Sequence, residues 1–170
     1  SGITVSGTKT ALVGGDATLT GDLGSFRTVV ADDVTVTADF GILTDHEIDH
    51  DGTQDGQALI VTIDTEDDAD LATITTDITS KTVRFVDDIT FTGNLAGFGA
   101  RVDAGRTLEI DAESASGQSI AGEGATSVRS ATVETVYDFG QLTSAGGVTI
   151  TFVDGGVLPE ATDLGDAALS

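Results

Sequence analysis

Thr18-Leu19-Thr20-Gly21-Asp22-Leu23-Gly24-Ser25-Phe26 returns in pattern as Thr35-Val36-Thr37-Ala38-Asp39-Phe40-Gly41-Ile42-Leu43 and again as Thr90-Phe91-Thr92-Gly93-Asn94-Leu95-Ala96-Gly97-Phe98. Weaker copies start at Thr73 (Thr73-Ile74-Thr75-Thr76-Asp77-Ile78) and at Thr107 (Thr107-Leu108-Glu109-Ile110-Asp111). Asp138-Phe139-Gly140-Gln141-Leu142-Thr143 matches Asp39-Phe40-Gly41-Ile42-Leu43-Thr44 at five of six positions. The starts at Thr18 and Thr35, and those at Thr73, Thr90 and Thr107, are evenly spaced, each step running from i to i+17. The interval from Thr35 to Thr73 is longer than two such steps and contains an acidic insertion at about 45–58.

In Thr-Φ-Thr the apolar residue points inward and both threonines outward, the period-two signature of a strand. A Gly or Ala followed by Asp or Asn then makes a corner, because such residues bond their own backbone and tolerate positive φ. The Leu or Phe beyond the corner re-enters the core. At about 3.3 Å per residue, one such step supplies two or three short strands with their turns. Recurrence of the same apolar positions at a fixed step predicts an all-β fold, a β-solenoid with rungs of ~17 residues stacked on one another. A hairpin in an antiparallel β-sandwich is the alternative that the same turn spacing allows.

Composition agrees with strands and Asp/Gly turns. Asp outnumbers Glu 22 to 7, and Thr occurs 27 times. Asp competes for backbone hydrogen bonds and prefers turns and caps to helix interiors, whereas Thr and Val suit pleated surfaces. Helix is expected to be nearly absent. Gly117–Ser130 reads as a loop or irregular rung, and the tail around 158–166 as a short helical turn or cap. No linker divides the chain, so residues 1–170 read as a single repeat domain with 39% hydrophobic residues to fill its core.

Charge narrows the function classes. With 29 acids against 7 bases the formal charge is −22, which disfavours nucleic acid and anionic membranes as partners. Only two residues are Lys and none is Cys, so thiolate metal sites, disulfides and cysteine catalysis are excluded. Such acidity suits a salt-rich or calcium-rich exterior where cations screen self-repulsion, and it also keeps a β-protein soluble and blunts strand edges. Ser1-Gly2-Ile3-Thr4-Val5 has neither a charged start nor an apolar run, so in a secreted protein this numbering starts after processing or within a longer chain.

Repeats of this Thr-Φ-Thr-Gly-Asp-Leu-Gly kind, over about residues 16–155, resemble the β-solenoid stretches of bacterial surface-layer proteins and large calcium-dependent adhesins. The nonapeptide Gly-Gly-x-Gly-x-Asp of that group's calcium β-rolls is missing, since neither Gly14-Gly15-Asp16 nor Gly146-Gly147-Val148 completes it. The resemblance implies an extracellular, cell-surface location and a structural role.

The candidate metal site lies in the insertion. Glu47-x-Asp49-x-Asp51-Gly52-x-x-Asp55 has the alternation in which side-chain oxygens converge on calcium, a Gly permits the turn and a later acid closes the shell. Glu47, Asp49, Asp51 and Asp55 are therefore the expected ligands. The opposing reading is a solvated acidic tip. A second cluster, Asp64 to Asp70, has five acids in seven residues and reads as a solvated loop. Asp32-Asp33 and Asp87-Asp88 read as turn residues, and His46 and His50 as exposed loop histidines rather than zinc ligands. Gly117-Gln118-Ser119-Ile120-Ala121 only approaches a nucleophile elbow, and no phosphate loop is present. Most of the seven Phe fall at repeat core positions, so no aromatic sugar platform is expected.

The expected function is therefore not enzymatic. It is an extracellular structural subunit of a surface layer, filament, matrix or adhesin, assembling with copies of itself and stabilised by calcium. The alternative is a module that binds carbohydrate or another ligand through calcium, with cell-surface polysaccharide as partner.

Overall fold

The structure, a computed structural model, describes residues 9–52, 56–65, 67–154, 163–164 and 168–169. Its paired strands run parallel, helix accounts for about 8% of the described residues, and the architecture is a β-solenoid of about seven turns. Parallel pairing decides between the two sequence-level alternatives, because a sandwich of hairpins needs antiparallel neighbours. The chain resolves into two compact units, Ser1–Ile60 with Thr73–Lys81, and Val61–Ala72 with Thr82–Ser170.

In the first unit the elements are β1 (Lys9–Val13), β2 (Ala17–Leu19), β3 (Phe26–Val30), β4 (Thr35–Asp39), the one-turn helix α1 (Phe40–Leu43), β5 (Ile48–His50) and the start of β6 (Ala58–Ile63). β1, β3 and β5 lie side by side in that order, and β2 pairs with β4. The second unit contains most of β7 (Ser80–Phe85), then β8 (Ile89–Phe91), β9 (Gly99–Val102), β10 (Thr107–Asp111), the helical turn α2 (Ala112–Ala115), β11 (Ile120–Gly122), β12 (Ala125–Ala131), β13 (Leu142–Ser144), β14 (Val148–Phe152) and β15 (Ala168–Leu169). One ladder there runs β8-β10-β12-β14-β15, and β9 pairs with β7 and β11.

The rung is not of one length. The register runs from i to i+17 where Lys9 faces Phe26 and where Thr82 faces Gly99, but from i to i+22 where Ile120 faces Leu142. Where the sequence repeat steps from Thr18 to Thr35 and from Thr90 to Thr107, the structure pairs Thr18 with Thr37 and Thr90 with Glu109, each an offset of i to i+19. The register there exceeds the sequence repeat by two positions. Because side chains alternate with period two, a shift of two leaves every apolar residue on its original face. Val36 and Ala38 are buried in β4, and Leu108 and Ile110 in β10, while the intervening residues face outward. The second unit's core adds an edge-to-face pair, Phe85 and Phe91, with ring centroids 5.4 Å apart.

The corners form as the sequence pattern demands. In Asp22-Leu23-Gly24, Asp39-Phe40-Gly41, Asp70-Leu71-Ala72, Asn94-Leu95-Ala96 and Asp138-Phe139-Gly140 the first side chain accepts from the backbone N–H two residues on, at 2.7 to 3.1 Å. The middle residue enters the core in the last four, with Leu71 and Phe139 fully buried, while Leu23 stays half-buried. One close approach fixes a residue type: a Cβ on Gly93 would collide with the Ala69 carbonyl oxygen.

Three finer expectations fare differently. Of the two readings of Gly117–Ser130 the irregular rung holds: it contains β11 and most of the seven-residue β12, whose Thr126, Val128 and Ala131 are buried and whose register shifts between Val128 and Ala131. Small residues there are stacking residues, held by parallel neighbours on both sides of β12. The weak copy at Thr73 forms no Thr-Φ-Thr strand; Leu71–Thr73 is a 3-10 turn and Thr75 bridges Glu47. The tail at 158–166 lies outside the described residues apart from 163–164.

Candidate functional site

The first part of the acidic insertion, through His50, is part of the ladder. Its last residues, Ile48-Asp49-His50, are β5, paired with β3 in the register Thr28 to Ile48. On its other side the Ile48 N–H donates to the Thr75 carbonyl at 2.9 Å, and the Thr75 N–H to the His46 carbonyl at 3.0 Å. Ile48 points inward and is fully buried, which anchors the segment. Glu47 and Asp49 consequently share the outer face of the strand.

That face already holds a cation. Extending the register puts Arg27 opposite Glu47 and diagonal to Asp49. The Arg27 Nε lies 2.9 Å from Glu47 Oε1, and Nε and Nη2 donate to Asp49 Oδ2 at 2.9 and 2.7 Å. Asp49 is only 5% exposed, and its Oδ1 accepts from the Asp77 N–H at 3.2 Å. Burial alone would raise the Asp49 carboxyl; the hydrogen bonds from Arg27 and the Asp77 N–H outweigh it and hold Asp49 below the usual carboxylate range. Arg27 is correspondingly raised by its bond to Asp49.

Of the four expected ligands, the structure brings Glu47 and Asp49 together on a guanidinium, leaves Asp51 exposed in the bend that follows, and Asp55 lies outside the described residues. Among the described residues no three His, Asp or Glu side chains converge in a metal-holding group. The sequence reading had no signal for Arg27, which lies a full rung before Asp49.

The histidines differ from their expected exposed state. His46 is 7% exposed, with Nε2 3.2 Å from Thr28 Oγ1. His50 is half-buried on β5; its backbone N–H donates to Asp77 Oδ1 at 2.9 Å and its Nε2 lies 3.1 Å from Asp77 Oδ2. The Gly52 N–H donates to His50 Nδ1 at 2.9 Å, which leaves Nε2 to carry the proton towards Asp77. Both rings thus serve as rung-to-rung polar links.

The same economy governs the other acids. In the second unit Arg84 donates to both Asp103 oxygens at 2.7 Å, Arg106 to Asp87 at 2.7 Å and Arg129 to Asp111 at 3.1 Å. The bond from Arg84 is the main reason that Asp103 lies below the usual range. Asp16 and Asp88 accept from the backbone N–H of Thr35 and Thr107, one rung on, at 2.8 Å. Asp33 adopts φ 56° and Asp87 accepts from the Asp88 N–H, as turn residues do. Asp64, Asp67 and Asp68 are exposed, and Glu66 lies outside the described residues.

The hollows are open and polar. One of about 460 Å³ in the second unit is lined by Asp111, Glu113, Ser114, Thr132, Thr135 and Tyr137, among others. A smaller one, about 160 Å³, lies between Phe26, Arg27, Asp45, His46 and Glu47. Phe40 is 8% exposed, as a core position should be, but Phe26 is 42% exposed, an aromatic that the repeat pattern had assigned to the core. No family model matches the chain, and no curated protein or solved structure is significantly similar to it.

Proposed function

We propose that this protein is an extracellular structural element, a self-assembling subunit of a surface layer, filament, matrix or adhesin, and not an enzyme. One observation carries the reading: four of the arginines spend their donors on carboxylates one rung away in the ladder. Catalytic and ligand sites hold polar groups aimed at an empty space, whereas here Glu47, Asp49, Asp87, Asp103 and Asp111 are each bonded to an arginine of the same unit. Calcium enters this proposal as the cation that neutralises the −22 charge between copies, with Asp51 and the other exposed acids as its contacts.

Sedimentation velocity with negative-stain microscopy, in EDTA and then in millimolar calcium, tests the reading. Ordered sheets or fibres that grow with calcium are expected; a compact monomer in both conditions would overturn it. The alternative, calcium-dependent recognition of a carbohydrate, draws on exposed Phe26 beside Asp45 and Glu47. It predicts a saturable shift of the Gly24 and Arg27 amide resonances on adding oligosaccharide, lost in Phe26→Ala.

A further inference from the structure

We infer that Arg101, backed by Arg84, is the point at which this chain takes carboxylates from a second copy, and that Asp67 and Asp68 supply them. This rests on the structural reading above and names one contact within it. The bases of this acidic chain are unevenly spread. Residues 81–106 carry four bases and three acids, whereas the rest of the chain carries three bases and 26 acids. The three arginines of that stretch, Arg84, Arg101 and Arg106, all belong to the second unit.

All three acids of the stretch are taken. Arg84 donates to both Asp103 oxygens and Arg106 to Asp87, each at 2.7 Å, and Asp88 accepts from the Thr107 N–H at 2.8 Å. Arg101 is exposed, and it is the one arginine that forms no ion pair among the described residues. In the ladder it stands between Arg84 and Ala121. Ala121 offers no acceptor, and Arg84 repels it across a strand spacing of about 4.8 Å. Like charges directly opposite one another weaken a sheet. The pairing therefore costs the fold, and an anion from outside relieves it.

Charge selects the occupant. A guanidinium presents a planar fork of donors that matches a carboxylate, and the same chain displays the matching acids. Asp67 and Asp68 are adjacent and exposed in the turn after β6, and neither side chain is bonded to a base or a backbone N–H among the described residues. Their neighbours are engaged: Asp64 accepts from the Thr65 hydroxyl and Asp70 from the Ala72 N–H. The turn is held from behind, since the Thr92 N–H donates to the Asp67 carbonyl at 2.6 Å and the Asn94 N–H to the Ala69 carbonyl at 3.1 Å. Arginine here takes the part that calcium takes at the other exposed acids. Both features lie in the second unit, so every copy carries a donor and an acceptor. Calcium lowers the general repulsion between copies, and the Arg101 contact sets where they touch.

The test is sedimentation velocity of the whole chain in millimolar calcium, with Arg101→Glu and with the double variant Asp67→Lys/Asp68→Lys, each checked for an unchanged β-sheet circular dichroism spectrum. Each variant alone is expected to self-associate about tenfold more weakly. An equimolar mixture should assemble as the wild type does, because the reversed charges then meet their opposites. Arg101→Thr separates contact from fold: it should weaken association while its urea midpoint equals or exceeds that of the wild type, since the arginine pair is relieved. If the wild type assembles and Arg101→Glu assembles equally well, this contact is wrong while the structural reading stands. If both variants are weak and their mixture is weak too, Asp67 and Asp68 are not the occupant and the inference fails. A lower midpoint for Arg101→Thr with unchanged association would make Arg101 a structural residue and overturn it as well. A wild type that stays monomeric overturns both readings.

Discussion

Arg27 and Arg84 hold the same station in their ladders, and the structure uses them differently. Each reaches diagonally to an aspartate one rung on, Asp49 and Asp103 respectively. Directly opposite Arg27 stands Glu47, whereas opposite Arg84 stands another arginine, Arg101. Asp49 is buried and takes a backbone N–H on its second oxygen; the Asp103 side chain is 23% exposed and lies among Arg84, Arg101 and Arg106. One ion pair is tied into the fold, and the other is a staple on its surface. Burial, not the type of pair, sets what each is worth.

The largest expected effect breaks the first pair. Asp49→Ala leaves the Asp77 N–H without its acceptor and Arg27 with Glu47 alone, and should lower unfolding stability by about 2–4 kcal/mol in urea denaturation. Asp103→Ala removes an exposed partner and should lower it by at most about 1 kcal/mol. Equal costs would show that burial makes no difference here.

Acid titration sharpens the same contrast. Both carboxyls lie below their ordinary range when folded, so their contribution is complete above the unfolded Asp value of about 3.9. It is lost as pH falls through the lower folded values. The stability gap between wild type and Asp49→Asn should stay level from neutral pH down to about 5 and narrow below about 4, as followed by urea midpoints.

The corners supply the control. They need an oxygen, not a charge, since Asn94 fills the place that Asp39 fills elsewhere. Asp39→Ala and Asn94→Ala should each cost about 1 kcal/mol, while Asp39→Asn stays within about 0.5 kcal/mol of wild type. The smallest effect is the response to salt. Raising sodium chloride from 0.1 to about 1 M should erase most of the cost of Asp103→Ala and leave that of Asp49→Ala nearly intact, because buried pairs are screened less.

The division between what could and could not be read from the sequence has the same physical origin. The corners were legible because an Asp or Asn side chain bonds a backbone group two residues away, so the whole interaction is written in three adjacent letters. Inward and outward faces were legible because Thr-Φ-Thr fixes parity. The register was not, because pairing Thr18 with Thr35 or with Thr37 puts the same residues on the same face, and only packing chooses the second. Over β12 the sequence left loop and irregular rung both open, because Thr126, Val128 and Ala131 look like loop residues until neighbouring strands bury them.

At the candidate site the acids at 47, 49 and 51 were visible as a calcium-like alternation, and their spacing does reflect one strand face up to the bend. Their counter-ion was not visible, because Arg27 reaches Asp49 only once a full rung has closed between them. Likewise His46 and His50 looked solvated in an Asp-rich stretch, but Thr28 and Asp77, distant in sequence, take them into the ladder.

The central claim is that Glu47 and Asp49 are engaged by Arg27 in holding the fold. Calorimetric calcium titration of wild type and Asp49→Asn, at concentrations where the chain is monomeric, tests it most directly. The account predicts weak uptake in both, equally diminished by added sodium chloride. A stoichiometric binding event that resists salt in the wild type and disappears in Asp49→Asn would contradict it.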